Sequence, residues 1–279
     1  ALPLHNAIPI VMGANMGTTV TNTIVSLGHI GRREDFRRAF SASVVHDVFN
    51  FFAVLIFFPL QYYTNYLEKA SVFLTGLFGE AGGLAFASPL KLITAPVSHA
   101  VADFLGHNPW IILIVALAAL FISLRYIVIY MKALIMTRAE VIFERTIFKT
   151  PYHGLIFGML LTSLVQSSSV TTSLIVPLAG AGMIGLDRVF PYTMGANVGT
   201  TVTAMLASMA TGNTAAVGVA FSHLMFNISG ILVFWWIQFV PIRIAEKIAS
   251  VAAGNRGLAV FYIVLFFFII PLILIWILE

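Results

Sequence analysis

The chain of 279 residues has no cysteine, which excludes disulfides, thiolate metal sites and cysteine catalysis. Charge is almost as scarce: Asp, Glu, Lys and Arg make up 9% of the residues, against about 25% in soluble domains. None occurs from Val189 to Val240 or from Leu258 to Leu278. The first of these runs is long enough for two membrane spans of about 20 residues each. A signal peptide is also missing, since Ala1-Leu2-Pro3-Leu4-His5 supplies neither an initiator Met nor a basic region, and reads as a cut or processed start.

What remains is 59% hydrophobic, with a mean hydropathy of +0.98. This is the composition of a polytopic membrane protein. The net charge of +4 sits in short loops beside apolar segments, where it sets topology, and no nucleic acid is expected as a partner. The apolar runs are far too long for barrel strands, so the fold class is all-α. Expected spans are Ile8 to Leu27 (interrupted), Ala39 to Leu60, Trp110 to Met131, Gly154 to Gly182 (bent), Phe190 to Met209 (interrupted), Ala216 to Val240 and Leu258 to Leu278.

Two segments then carry nearly the same phrase. Pro9-Ile10-Val11-Met12-Gly13-Ala14-Asn15-Met16-Gly17-Thr18-Thr19-Val20-Thr21 matches Pro191 to Thr203 at ten of thirteen positions. Gly-Ala-Asn-x-Gly-Thr-Thr is a poor continuous helix, and its amide and hydroxyl groups suit a broken helix lining a site. A second echo follows each phrase, His46-Asp47-Val48-Phe49-Asn50 and His223-Leu224-Met225-Phe226-Asn227. The alternative reading is that the small residues only let helices approach closely.

Orientation comes from the loops. Arg32, Arg33, Arg37 and Arg38 mark a cytoplasmic loop, as do Lys132, Arg138, Arg145 and Lys149, and then Arg243, Lys247 and Arg256, whereas Gln61 to Asn108 holds only Lys69 and Lys91. On this count Ala39 to Leu60 and Ala216 to Val240 cross in opposite senses. The expected architecture is therefore inverted-topology repeats with broken helices, residues 1–150 carrying the first repeat and a connecting span, and 151–279 the second repeat and a C-terminal span. Interrupted segments at matching positions of inverted repeats are a signature of secondary transporters.

The third element is Leu164-Val165-Gln166-Ser167-Ser168-Ser169-Val170-Thr171-Thr172-Ser173, in the middle of an uncharged run of 29 residues. That run exceeds one span and predicts a re-entrant helical hairpin with Gln166 and the serines at its tip; Thr171, Thr172 and Ser173 are expected to bond back to their own helix. An intramembrane hydrolase with Ser167, Ser168 or Ser169 as nucleophile lacks a compact Ser, His and Asp constellation. No enzyme activity is expected.

With these residues in order, the chain resembles the type II sodium/phosphate cotransporters. The resemblance rests on Gln166 to Ser169, on both Gly-Ala-Asn phrases, and on Phe36-Arg37-Arg38-Ala39-Phe40 running into Val45 to Asn50. It implies sodium-coupled import of inorganic phosphate, the divalent form favoured, by alternating access. Another oxyanion, or a channel-like path, is the alternative. The resemblance also implies sodium at Gln166, Ser167, Thr200 and Thr203 with Asn197 and Thr201, and phosphate near Ser168, Ser169, Asn15, Thr18 and Thr19. Sodium is the co-transported ion, and no organic cofactor or transition metal is implied. Members carry a first Gln-Ser-Ser-Ser hairpin that, by the spacing from Gln166 to Gly195, would fall upstream of Ala1, and electrogenic members carry an Asp close to the point where this chain reads Gly31-Arg32-Arg33. An electroneutral cycle in a bacterial inner-membrane protein is the consistent expectation, and a homodimer is compatible with it.

Four groups have plainer expected roles. Asp47 is expected to pair with Arg37, Arg38 or His46, and Arg125 to reach the cytoplasmic interface. His46 and His223 should be hydrogen-bonding packers. Glu140, Glu144, Arg138 and Arg145 are expected on an interfacial amphipathic stretch.

Overall fold

The structure is a computed structural model that describes residues 3–78, 89–135, 148–210 and 213–278, and every element among them is helical. The elements are α1 (Leu4–Gly17), α2 (Val20–Ser26), α3 (Arg33–Thr64), α4 (Tyr66–Phe78), α5 (Pro89–Phe104), α6 (Pro109–Ile135), α7 (Pro151–Val165), α8 (Ser168–Gly180), α9 (Leu186–Ala210), α10 (Thr214–Phe234), α11 (Phe239–Gly254), α12 (Arg256–Val264) and α13 (Ile270–Leu278). A π-turn, Leu265–Ile269, joins the last two. The amphipathic stretch with Arg138, Glu140, Glu144 and Arg145 lies outside the described residues, as does the side chain of Arg125. Among the described residues, Arg33–Thr64, Thr214–Phe234 and Arg256–Ile273 are helical stretches long and apolar enough to cross a membrane.

Local chemistry sets the boundaries. Arg32 is extended, Glu34 and Asp35 occupy the first turn of α3 where the helix dipole favours anions, and Asn65 ends the helix in the left-handed region with φ 53°. Thr150 caps α7 by accepting from the His153 N–H, with Pro at the first position; Asn213 caps α10 by accepting from Ala215 and Ala216.

Three span expectations can be compared with the structure. Gly154 to Gly182, expected as two helical arms about Gln166, is indeed not one helix. It breaks at Gln166, which is left-handed at φ 58°, and Ser167 then caps α8. Thr162 and Thr171, nine residues apart, meet hydroxyl to hydroxyl at 2.7 Å, so the chain folds back on itself. Ala216 to Val240 ends early, because α10 stops at Phe234 and the expected loop from Pro241 to Gly257 is largely the helix α11, packed on α3 through Ala245, Ala249 and Ala252.

The third concerns the second Gly-Ala-Asn phrase, which was expected to be interrupted but lies inside the continuous helix α9. Its hydroxyls bond to helix carbonyls, Thr200 to Ala196, Thr201 to Val198 and Thr203 to Thr200. Its glycines serve contact with α7. A Cβ on Gly195 would overlap the Leu155 carbonyl, one on Gly158 the Tyr192 carbonyl, and one on Gly199 would stand 2.5 Å from the Met159 oxygen. The reading that small residues let helices approach therefore holds for this copy. The first copy differs: α1 ends at Gly17, α2 starts at Val20, and a Cβ on Gly13 or Gly17 meets nothing within 4 Å.

The core that holds these helices is aromatic. Phe49 and Phe226, from the two His-x-x-Phe-Asn echoes, are each 1% exposed. Phe49 meets Phe190 and Phe234 edge to face at 5.7 and 5.5 Å, and Phe226 meets Phe57 at 6.3 Å.

Candidate functional site

The two echoes are cross-wired. Asn15, in the first phrase, donates from its side-chain amide to Asn227 Oδ1 at 2.7 Å, and its own Oδ1 lies 2.8 Å from His223 Nε2. Asn197, at the same place in the second phrase, donates to Asn50 Oδ1 at 2.8 Å, with its own oxygen 2.9 Å from His46 Nε2. Each Gly-Ala-Asn asparagine is thus held by the histidine and asparagine of the other echo, through the same atoms. Both asparagines are buried. Because Asn Oδ1 only accepts, each histidine Nε2 carries the proton in these bonds. His46 and His223 hydrogen-bond across helices as expected.

Two backbone breaks meet beside this network. At the first, Thr18 and Thr19 interrupt α1 and α2, with hydroxyls on the Asn15 and Met16 carbonyls at 2.9 and 2.8 Å. At the second, Gln166 and Ser167 separate α7 from α8. Ser169 Oγ reaches the Thr18 carbonyl at 3.4 Å. Thr172 and Ser173 both donate to Asn22 Oδ1, at 2.9 and 3.2 Å, while the Asn22 amide lies 3.2 Å from His46 Nδ1. The expected bonds of Thr171 and Thr172 to their own helix are present, to carbonyls of Ser167 and Ser168. Ser173 departs from that expectation by turning to Asn22.

The sodium-assigned residues divide between the break that follows α7 and the body of α9. α7 and α9 run parallel: Gly158 nests on Tyr192 and Ala196, Gly199 on Met159 and Thr162, and Ser163 Oγ donates to the Gly199 carbonyl at 3.4 Å. Thr200 and Thr203 are half-buried, whereas Thr201 and Asn197 face the interior. On the phosphate-assigned side, Ser168 is buried in the first turn of α8, Ser169 and Thr18 touch, and Thr19 is fully buried. The start of α8 also presents backbone N–H groups and the positive end of a helix dipole, which suit an anion.

Asn22, Thr23, Tyr192 and Tyr262 were not foreseen. Tyr192 donates from a buried position to the Thr171 carbonyl at 2.8 Å, tying α9 to α8. Tyr192→Phe is expected to lower stability by about 1 kcal/mol, read as a small fall in melting temperature in detergent. Tyr262 lies in the span expected over Leu258 to Leu278, and its hydroxyl reaches Asp47. The expected ion pair of Asp47 does not form. Arg37 is taken by Glu34 and Arg38 by Asp35, both at 3.0 Å, because each has an acid one turn earlier on its own helix. Arg38 also donates to the Gly180 carbonyl, and His46 is committed to Asn22 and Asn197.

Comparison with known proteins agrees in kind. The family model described as Na+/Pi-cotransporter matches residues 112–269, more than half of the chain. The sodium-dependent phosphate transport protein 2B of Homo sapiens is 31% identical over 97% of this chain and 53% of its own length. The sodium-dependent phosphate transport protein 2A of Ovis aries is 32% identical over 97% of this chain and 55% of its own. The chain thus spans about half the length of the curated relatives it matches. No solved structure gives a significant match. The matched model, together with relatives aligned over nearly the whole chain, shows that this protein belongs to the Na+/Pi-cotransporter family.

Proposed function

We propose that this chain forms the transport core of a sodium-coupled symporter that imports inorganic phosphate across a cell membrane, a bacterial inner membrane being the setting that suits it. The observation that carries this reading is the crossed pairing of Asn15 with His223 and Asn227, and of Asn197 with His46 and Asn50. A duplicated lock of this kind is what two repeats of inverted topology produce when they face one another across a midplane site. α7 and α8, with 15 and 13 residues, have lengths of about 22 and 20 Å at 1.5 Å per residue. Both fall short of the roughly 30 Å hydrocarbon core, which supports a re-entrant hairpin.

In this scheme Gln166, Ser167, Thr200 and Thr203 bind sodium. Ser168, Ser169, Thr18 and Thr19 face phosphate, and Asn15, Asn197 and Thr201 hold the frame. The hydroxyls and amides are neutral dipoles, so bound sodium supplies the positive charge that a divalent phosphate requires, and each ion raises the affinity for the other. Two sodium ions per divalent phosphate would make the cycle electroneutral, and alternating access would proceed by rocking one repeat against the other.

The test is phosphate accumulation in proteoliposomes under an imposed sodium gradient, with and without a membrane potential. Accumulation should follow the gradient. It should be indifferent to potential, which acts on net moved charge at about 2.3 kcal/mol per charge per 100 mV. Gln166→Ala and Ser168→Ala should each lower uptake about ten- to a hundredfold, the worth of a hydrogen bond to a charged group. Phosphate flux that equilibrates without regard to sodium would replace the symporter with a channel.

A further inference from the structure

α11 has two faces of different character. Ala245, Ala249 and Ala252 are buried against α3, while Phe239, Arg243, Lys247 and Val251 follow one another at four-residue spacing along the outer side. Phe239 and Val251 are 54% and 55% exposed, and Trp236, just ahead of the helix, is 81% exposed. Arg243 lies over the Phe239 ring at 5.5 Å. Among the described residues no ion pair holds Arg243 or Lys247, Glu246 on the same helix included. Next to this face Trp235 packs on Tyr152 at 4.6 Å. Trp and Tyr beside Lys and Arg are the residues of a membrane–water boundary, and by the loop charges this boundary is the cytoplasmic one.

From Lys247 the outer face passes into a groove of about 360 Å³ between α11 and α12. Lys247, Val251, Leu258 and Phe261 wall it, with half-buried Tyr262 at its base. Its far side belongs to the helical stretch Arg256–Ile273, of which only 11% is buried, so the groove opens toward acyl chains rather than toward protein. An apolar groove that meets the bilayer and has two uncommitted cations at its edge matches the shape and charge of one molecule already present there, a phospholipid with a negative headgroup.

We propose that the groove between α11 and α12 binds one anionic phospholipid of the cytoplasmic leaflet, its phosphate held by Arg243 and Lys247 and an acyl chain lying over Val251, Leu258 and Phe261. The proposal does not depend on what the protein transports. It does reach the core, because Tyr262 stacks on Phe266 at 5.4 Å, meets Phe40 edge to face at 5.8 Å and hydrogen-bonds α3 through its hydroxyl. A lipid seated on that ring fastens the α11–α12 corner to α3.

Native mass spectrometry of the purified chain, titrated with phosphatidylglycerol or with phosphatidylcholine of the same acyl chains, tests the site. One phosphatidylglycerol per chain should bind at least about tenfold more tightly than phosphatidylcholine. Arg243→Gln/Lys247→Gln should erase that preference, and Val251→Trp, which fills the groove from an exposed position, should release both lipids. Lys69→Gln, the same loss of charge beyond the other end of α3, should change nothing. If the double variant does not fold, Lys247→Gln alone and Val251→Trp decide. Equal binding of the two lipids, or a preference that survives loss of both cations, would overturn the proposal. So would displacement of phosphatidylglycerol by inorganic phosphate, since the cations would then serve a free anion, and so would a dimer that binds no lipid and dissociates in Val251→Trp, since a second copy would then cover the groove.

Discussion

Gly195→Ala is expected to destabilise the folded protein by about 3 kcal/mol or more, the upper range of overpacking, because the new methyl would press on the Leu155 carbonyl, which is backbone and cannot swing aside. Gly13→Ala changes the same letter of the same repeated phrase. There a Cβ meets nothing within 4 Å, so in this chain the substitution should be neutral or should stabilise α1 by up to about 1 kcal/mol through helix propensity. Thermal unfolding in detergent, followed by the fraction that elutes as a monodisperse peak, checks both. Similar losses in the two variants would show that the glycines serve backbone freedom and that the packing of α7 on α9 is incidental.

Asn197→Ala is expected to cost more than an ordinary buried polar truncation. It strips partners from Asn50 Oδ1 and from the ring nitrogen of His46 together, and each orphaned buried group costs about 1–3 kcal/mol. Asn15→Ala should behave alike, since Asn227 and His223 stand in the corresponding places. Phosphate uptake should be lost in both. The decisive measurement is the double variant Asn50→Ala/Asn197→Ala: partners in one network lose less together than the sum of the single losses. Strict additivity would mean that the crossed pairs are not energetically joined, and the symmetry argument for two facing repeats would lose its support.

Much of this was legible because membrane helices leave strong traces. The long apolar runs located α3, α6 and α12 to α13, and the 29-residue run with Gln166 at its centre announced two helices and a tip. The two echoes were equally visible as a repetition. Their meaning was not, because a sequence match records which residues are equivalent and not which ones touch. Asn15 and Asn197 read as ligands when taken one at a time, and the sequence did not disclose that each also bonds the histidine and asparagine of the opposite copy.

The continuous course of α9 was hidden for a related reason. Gly-Ala-Asn-x-Gly-Thr-Thr has weak helical propensity whether or not a neighbouring helix lies against its glycines. Only the presence of α7 distinguishes the second copy from the first. Tyr262 left no trace at all, since one phenol among phenylalanines looks like lipid-facing bulk until its hydroxyl is seen on Asp47.

The clasp between α7 and α9 has a mechanical side. Its glycines are spaced by one helical turn on both partners, Gly154 and Gly158 on one, Gly195 and Gly199 on the other. A slip of one turn, about 5.4 Å, would carry Thr162 to the place where Gly158 meets the Tyr192 carbonyl, and a threonine side chain does not fit there. The pair is keyed like a ratchet: in that direction α7 meets a stop on α9, so a motion of the helix ahead of Gln166 that way is expected to take α9 with it.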